Sequence, residues 1–393
     1  MITRNKLFPL IMSLIATVLI FIGLQRLVEP KYDGSEDMPL EGNFTSEYYD
    51  ETTKHDVIII GDCEVYENID AMRLWDKYGI TSYIRGNAQQ LIWQSYYMLE
   101  DTLKTETPKV VIYNVQAMEH SKPEREAYNR MTLDGMKWSK TKLDAIRASM
   151  CEGENYMDYF FPLLRYHSRI TSLNGSDLKY YFRPKKVAHN GYYMRIDTLP
   201  VSESDVADDS WLSGEEDNNV DEEVYDDPMA MFEQEMDIDD DSSEPKDEDE
   251  VKISDTSFAY LERIRNLCND NGIKLILMKA PSLYPVWHDS ENEQISDYAK
   301  ANGLLYVNFY DLIDEIGIDY EKDTYDGGLH LNLTGADKVA DYLGDVLIKQ
   351  YKIKDHRNEP LYQRVYDGKY QFYQDMIKAQ QKELDKYGEI LSY

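Results

Sequence analysis

DVIIIGDCE, residues 56–64, decides the fold. Asp56 to Ile60 is a continuous apolar, β-branched run closed by Gly61, the pattern of a strand buried on both faces of a sheet. Working outward, similar runs return at Thr81 to Ile84 before Gly86, at Lys109 to Val115 (KVVIYNV) behind Pro108, at Lys274 to Lys279 (KLILMK) and at Leu304 to Phe309 (LLYVNF). Helical periods separate them: Ala71 to Tyr78, Ala88 to Lys104, Phe258 to Asp270, Glu291 to Asn302 and Gly335 to Lys349. Strands alternating with helices pair in parallel through right-handed crossovers. The expectation is therefore an α/β three-layer sandwich around a five-stranded parallel sheet.

The 393 residues are 42% hydrophobic, enough to fill a substantial core, and the net charge of -32 opposes a nucleic-acid backbone as partner. That charge is uneven. Residues 201–252 hold 23 Asp/Glu against Lys246 and Lys252, a local charge of -21, and read as a flexible, self-repelling excursion. Asp239, Asp240 and Asp241 offer calcium ligands, but no D-x-[DN]-x-[DN]-G loop with a closing Glu surrounds them. Cys63, Cys151 and Cys268 form no C-x-x-C pair and the seven histidines form no H-E-x-x-H. Spacing thus gives no reason to expect a metal, a cofactor or a disulfide framework.

Leu7 to Leu24 is apolar and uncharged, long enough to cross a bilayer core of ~30 Å as a helix. Arg4 and Lys6 ahead of it favour a cytoplasmic N-terminus and an extracytoplasmic bulk. A cleaved signal peptide has a shorter apolar centre ending in small residues, whereas Gln25, Arg26, Leu27 and Val28 follow here, so an uncleaved single-pass anchor is expected. The expected organisation is then a cytoplasmic start and anchor (1–28), a polar tether (29–54) and an α/β domain (55–350). The domain carries a helical insertion (118–200) covering one end of the sheet and the acidic insertion (201–252). A charged, Tyr-rich tail (351–393) follows, with a helix near Gln371 to Lys386.

In an open parallel sheet, reactive groups gather beyond the carboxyl ends of the strands. At those ends stand Gly61-Asp62-Cys63-Glu64, Gly86-Asn87 and Asn114, while Asp326 and His330 precede the last core helix in YDGGLHLNLTGADKV. Acyl transfer requires a nucleophile on a tight turn, an imidazole to take its proton, a carboxylate to orient the imidazole, and donors for the oxyanion. Cys63, His330 and Asp326 fit the first three roles; the amides of Cys63 and Gly86 and the Asn114 side chain fit the fourth. Taken singly, a cysteine after a strand is more often a small core residue, and a histidine before a helix is often a cap. Their joint placement carries the reading.

These blocks resemble those of the SGNH/GDSL hydrolase superfamily: IIIGDCEVY the first, RGNAQQ the second, VVIYN the third and DGGLHLN the last. The resemblance covers residues 55–116 and 256–350 and is nearest to membrane-tethered bacterial cell-surface members, related to carbohydrate O-acetylation and teichoic-acid D-alanine transfer. It implies an SGNH-type, flavodoxin-like sheet, a Cys63–His330–Asp326 triad and an oxyanion site at Gly86 and Asn114. The implied activity is that of an esterase or O-acyltransferase on acyl, above all acetyl, esters of cell-envelope carbohydrate. Cys63 stands where the superfamily has serine, and three residues rather than two separate Asp326 from His330, which leaves Asp323 as an alternative orienting carboxylate. The second functional expectation is a catalytically inactive partner or carbohydrate-binding subunit of a membrane acyltransferase. Trp93, Tyr96, Tyr97, Tyr284 and Trp287 fall near the rim, where they either stack on sugar or pack the core.

Overall fold

A computed structural model describes residues 4–32, 39–123, 125–182, 186, 189–201 and 251–391. Asp239 to Asp241 and all of the acidic insertion except Val201, Val251 and Lys252 lie outside the described residues. Five strands, β1 (Val57–Gly61), β2 (Ser82–Gly86), β3 (Val110–Asn114), β4 (Lys274–Lys279) and β5 (Leu305–Asn308), form one all-parallel sheet in the order β2-β1-β3-β4-β5. In register, Ile59 lies between Ile84 and Ile112, and Gly61 pairs with Gly86, so the first three strands end level. The direction of winding reverses between β1 and β3, which makes their carboxyl ends the switch point of the sheet.

Apart from the single turns Phe44–Glu47 and Ile313–Ile316, the α-helices among the described residues are, in chain order, α1 (Arg4–Val28), α2 (Cys63–Asn68), α3 (Ala71–Tyr78), α4 (Ile92–Thr102), α5 (Glu126–Asp134), α6 (Lys140–Ser149), α7 (Tyr156–Phe160), α8 (Pro162–Arg165) and α9 (Gly175–Phe182). Beyond the acidic insertion come α10 (Asp255–Asp270), α11 (Asp289–Asn302), α12 (Leu333–Lys349) and α13 (Pro360–Tyr387). The apolar strand runs exist because the sheet has two cores. Val57, Ile59, Val110, Ile112 and Ile276 face Val65, Trp75, Val339 and Tyr366 from α2, α3, α12 and α13. Ile58, Ile60, Val111, Tyr113 and Leu277 face Leu99, Leu261 and Ile295 from α4, α10 and α11. Each such side chain is stabilised by about 1.5–3 kcal/mol on leaving water, and the buried charges in the strands, Arg85 and Lys279, are held by Thr102 and Glu64.

Three expectations change. The tether ends earlier than its polarity suggests, because Leu40, Phe44 and Tyr48 are buried in short helical turns against the domain. The helical insertion packs on the outer face of α4 through Met98, Leu133, Met136 and Ile146, in addition to reaching the sheet end. There the Met131 carbonyl accepts a hydrogen bond from Asn87 Nδ2 at 3.0 Å. The C-terminal tail is integral to the fold. Helix α13 begins with Pro360 in its first turn, ends at a left-handed Gly388, and buries Tyr366, Tyr373 and Gln380 at seven-residue spacing. Within α1, Phe8–Val28 is 21 residues with mean hydropathy 2.2, long and apolar enough to cross a membrane.

Candidate active site

Cys63 opens α2 directly beyond β1. Asp62 caps that helix, its Oδ1 accepting the Glu64 amide at 3.2 Å, and the turn is compact enough that only glycine fits beside it. A Cβ on Gly86 would stand 2.5 Å from Val65 Cγ2 and 2.9 Å from the Asp62 carbonyl oxygen. The second strand thereby ends flush against the turn that carries the thiol. Cys63 itself is half-buried.

His330 arrives from a loop closed on itself: the Thr324 hydroxyl donates to the His330 carbonyl at 2.7 Å and accepts the Gly328 amide at 2.8 Å. Asn68, the last residue of α2, ties this loop to the one after β4. Its Oδ1 accepts the Leu331 amide at 2.7 Å and its Nδ2 donates to Ser282 Oγ at 2.8 Å. The nucleophile turn and the histidine loop, which lie far apart in sequence, are thus joined by one amide side chain.

Asp326 grips His330 twice: Oδ1 accepts the backbone amide at 2.7 Å and Oδ2 lies 2.6 Å from Nδ1. The expected alternative, Asp323, is excluded from this role. Its Oδ2 takes the Asp319 amide at 2.7 Å and the Lys338 ammonium, and its Oδ1 takes the Thr334 hydroxyl at 3.0 Å, so it braces the start of α12. Nδ1 being held, the opposite nitrogen, Nε2, is buried with no hydrogen-bond partner among the described residues. The imidazole and the Cys63 thiol sit close enough to shift one another's proton affinity. Burial, offset in part by His330, pushes the thiol up to about 11. Burial pulls His330 down, but the negative charges of Glu67 and Cys63 and the Asp326 hydrogen bond outweigh it and raise its pKa well above the ordinary histidine value.

Two groups of the site carry no motif signal. Glu67 is buried with Oε2 3.6 Å from His330 Nδ1, and burial raises its carboxyl to about 8 against the pull of His330. Its position four residues after Cys63, on the same helical face, is the one sequence cue to it. Lys279, at the end of β4, forms a fully buried ion pair with Glu64 at 2.7 Å. A charge ending an otherwise apolar strand is the cue there.

Asn114 belongs to that second cluster. Its Nδ2 donates to Glu64 Oε2 at 2.7 Å and to Asp62 Oδ1 at 3.2 Å, while its Oδ1 accepts the Ala280 amide at 3.0 Å. Both amide hydrogens are therefore engaged in satisfying buried carboxylates, which need donors more urgently than a neutral oxygen does. In this structure Asn114 braces the turn, and Gly86 ends its strand against the Asp62 carbonyl of that same turn. Of the rim aromatics, Trp93, Tyr97 and Trp287 are core residues, and Tyr96 lies under the Arg263 guanidinium at 4.0 Å.

The arrangement is that of a thiol, an oriented imidazole and a carboxylate at the switch point of a doubly wound parallel sheet. No protein-family model, curated protein or solved structure matches the chain.

Proposed function

We propose that this chain is a membrane-anchored, extracytoplasmic SGNH/GDSL-like esterase or O-acyltransferase that works on acyl, chiefly acetyl, esters of cell-envelope carbohydrate. The observation that carries the reading is the Asp326–His330 contact of 2.6 Å, which turns the imidazole so that its second nitrogen is left for the neighbouring Cys63. In the reaction, neutral His330 Nε2 takes the thiol proton as sulfur bonds to the acyl carbon. The tetrahedral oxyanion is met by the Cys63 and Gly86 amides, and His330 returns the proton to the departing sugar oxygen. Water or a second hydroxyl then releases the acyl group from sulfur. The reading of an anchored enzyme is supported by the apolar run in α1, and its outward orientation by Arg4 and Lys6 ahead of that run.

The test uses the full chain in detergent with acetylated aryl esters and acetylated glycans, comparing wild type with Cys63→Ala and His330→Ala. The expected result is an acyl adduct on Cys63 that is absent in Cys63→Ala and slow to form in His330→Ala, with activity reduced about a thousandfold or more in both. Equal background in all three rejects the enzyme. The second reading, a non-catalytic subunit of a membrane acyltransferase, is favoured by the thiol pushed up to about 11. It predicts no adduct and no gain on Cys63→Ser.

A further inference from the structure

The segment 156–182 lies outside the site just described, and its packing is unusual. It wraps the end of α1. The Phe161 ring is 6.1 Å from that of Phe21, the Leu163 amide donates to Gln25 Oε1 at 2.7 Å, and Arg169 Nη1 donates to the Val28 carbonyl at 3.0 Å. Lys31, three residues beyond α1, pairs with Asp177 in α9. Phe21 precedes the end of the uncharged run at Leu24 by three residues, which at the helical rise is about 4.5 Å. A residue packed on Phe21 therefore sits at the boundary between headgroups and acyl chains when that run spans a bilayer of ordinary thickness.

The same segment exposes Leu164 (55%), Ile170 (49%), Leu178 (55%) and Phe182 (71%), values comparable with those along α1 itself. Its charge runs against that of the protein. By sequence, residues 156–182 hold three Lys/Arg and two Asp/Glu, and Arg183, Lys185 and Lys186 follow directly, a net +4 over residues 156–186 within a chain of -32. Exposed apolar side chains, the cations that follow at the carboxyl end of α9 and attachment to the last turns of a span together define a surface that lies in a headgroup region. A second copy of the chain is a poorer occupant, because two such positive faces repel.

We infer that α7, α8 and α9 lie in the interface of the bilayer that α1 crosses, with Leu164, Ile170, Leu178 and Phe182 among the acyl chains and anionic phospholipid as the ligand. The inference rests on the reading of α1 as a membrane span. It makes the anchor a rigid mount rather than a leash, because the domain is fastened to the bilayer at two points.

The experiment places photoreactive benzoylphenylalanine singly at Ile15, Leu178 and Leu361 in the full chain, reconstituted in vesicles of phosphatidylcholine and phosphatidylglycerol at roughly 3:1. Ile15 and Leu361 are exposed, in α1 and α13 respectively. Lipid adducts are expected at Ile15 and Leu178 and not at Leu361, and the Leu178 yield should fall severalfold when phosphatidylglycerol is omitted. No lipid adduct at Ile15 overturns the span itself. An adduct at Ile15 with none at Leu178, or a protein–protein adduct at Leu178, overturns the interfacial surface while leaving the span. Equal Leu178 yields in neutral vesicles overturn the choice of anionic lipid.

Discussion

Glu67 and Asp326 approach the same nitrogen of His330, Asp326 at 2.6 Å and Glu67 at 3.6 Å. Both favour the imidazolium, and an imidazolium cannot accept the thiol proton. The acyl transfer proposed above is therefore expected to speed up with pH above neutrality as His330 is deprotonated. Replacing Glu67 by Gln removes the negative charge that Glu67 acquires as it ionises near pH 8, lowers the His330 pKa and moves that rising limb to lower pH by about one unit. The kcat/KM profile on an aryl acetate reads it; a limb that stays in place would remove Glu67 from the environment of the base. Cys63 and Gly86 were legible as residue types at strand ends, and Asp326 and His330 as a pair before the last core helix. Glu67 was not, because a glutamate four residues along a short helix looks like any solvated face until the fold buries it.

At the scale of elements, α3 and α13 are one packing unit although nearly the whole domain separates them in sequence. Trp75 and Tyr366 stack with centroids 4.1 Å apart, the Asn190 amide donates to the Tyr366 hydroxyl at 3.1 Å, and Gln380 takes the Ile196 amide at 3.1 Å. Tyr366→Ala opens a cavity in a fully buried site and removes one of the two acceptors of the Asn190 amide, the other being the Ser82 carbonyl at 2.9 Å. The expected loss is about 3–5 kcal/mol in urea denaturation, with altered Trp75 emission. A near-wild-type midpoint would show that α13 is an appendage after all. The strands and core helices were readable within a few residues because period and burial coincide in them. Only the later part of α13 was anticipated, since one buried side chain every seven residues is too sparse to stand out from a charged, Tyr-rich tail. The turns around Phe44 and Tyr48 were hidden in the same way by their polar neighbours.

For the whole molecule, buried carboxyls set the pH dependence of stability. Burial raises Glu67 to about 8, and burial together with Glu64 raises Asp62 to about 7. In the unfolded chain both release their protons near the ordinary carboxyl values. The folded state thus binds more protons between those values and pH 7–8, so these groups contribute stability at low pH that is lost as pH rises across the window. The raised His330 adds in the same direction, while His189, which burial pulls down to about 3, opposes it below its ordinary value. Comparing wild type with Glu67→Gln isolates one term. The urea midpoint should fall less in the variant between about pH 5.5 and pH 8, and parallel falls would refute the protonated Glu67. By itself the sequence determined the strand–helix alternation, the long apolar N-terminal helix and the residue types at the strand ends, because each is written in local period and composition. The tertiary structure alone decided that Asp326 and not Asp323 holds His330, that Asn114 spends its amide on Asp62 and Glu64, and that residues 156–182 clasp the end of α1. Each of those outcomes depends on which distant groups burial forces to share a hydrogen bond or a surface, and no local pattern encodes that.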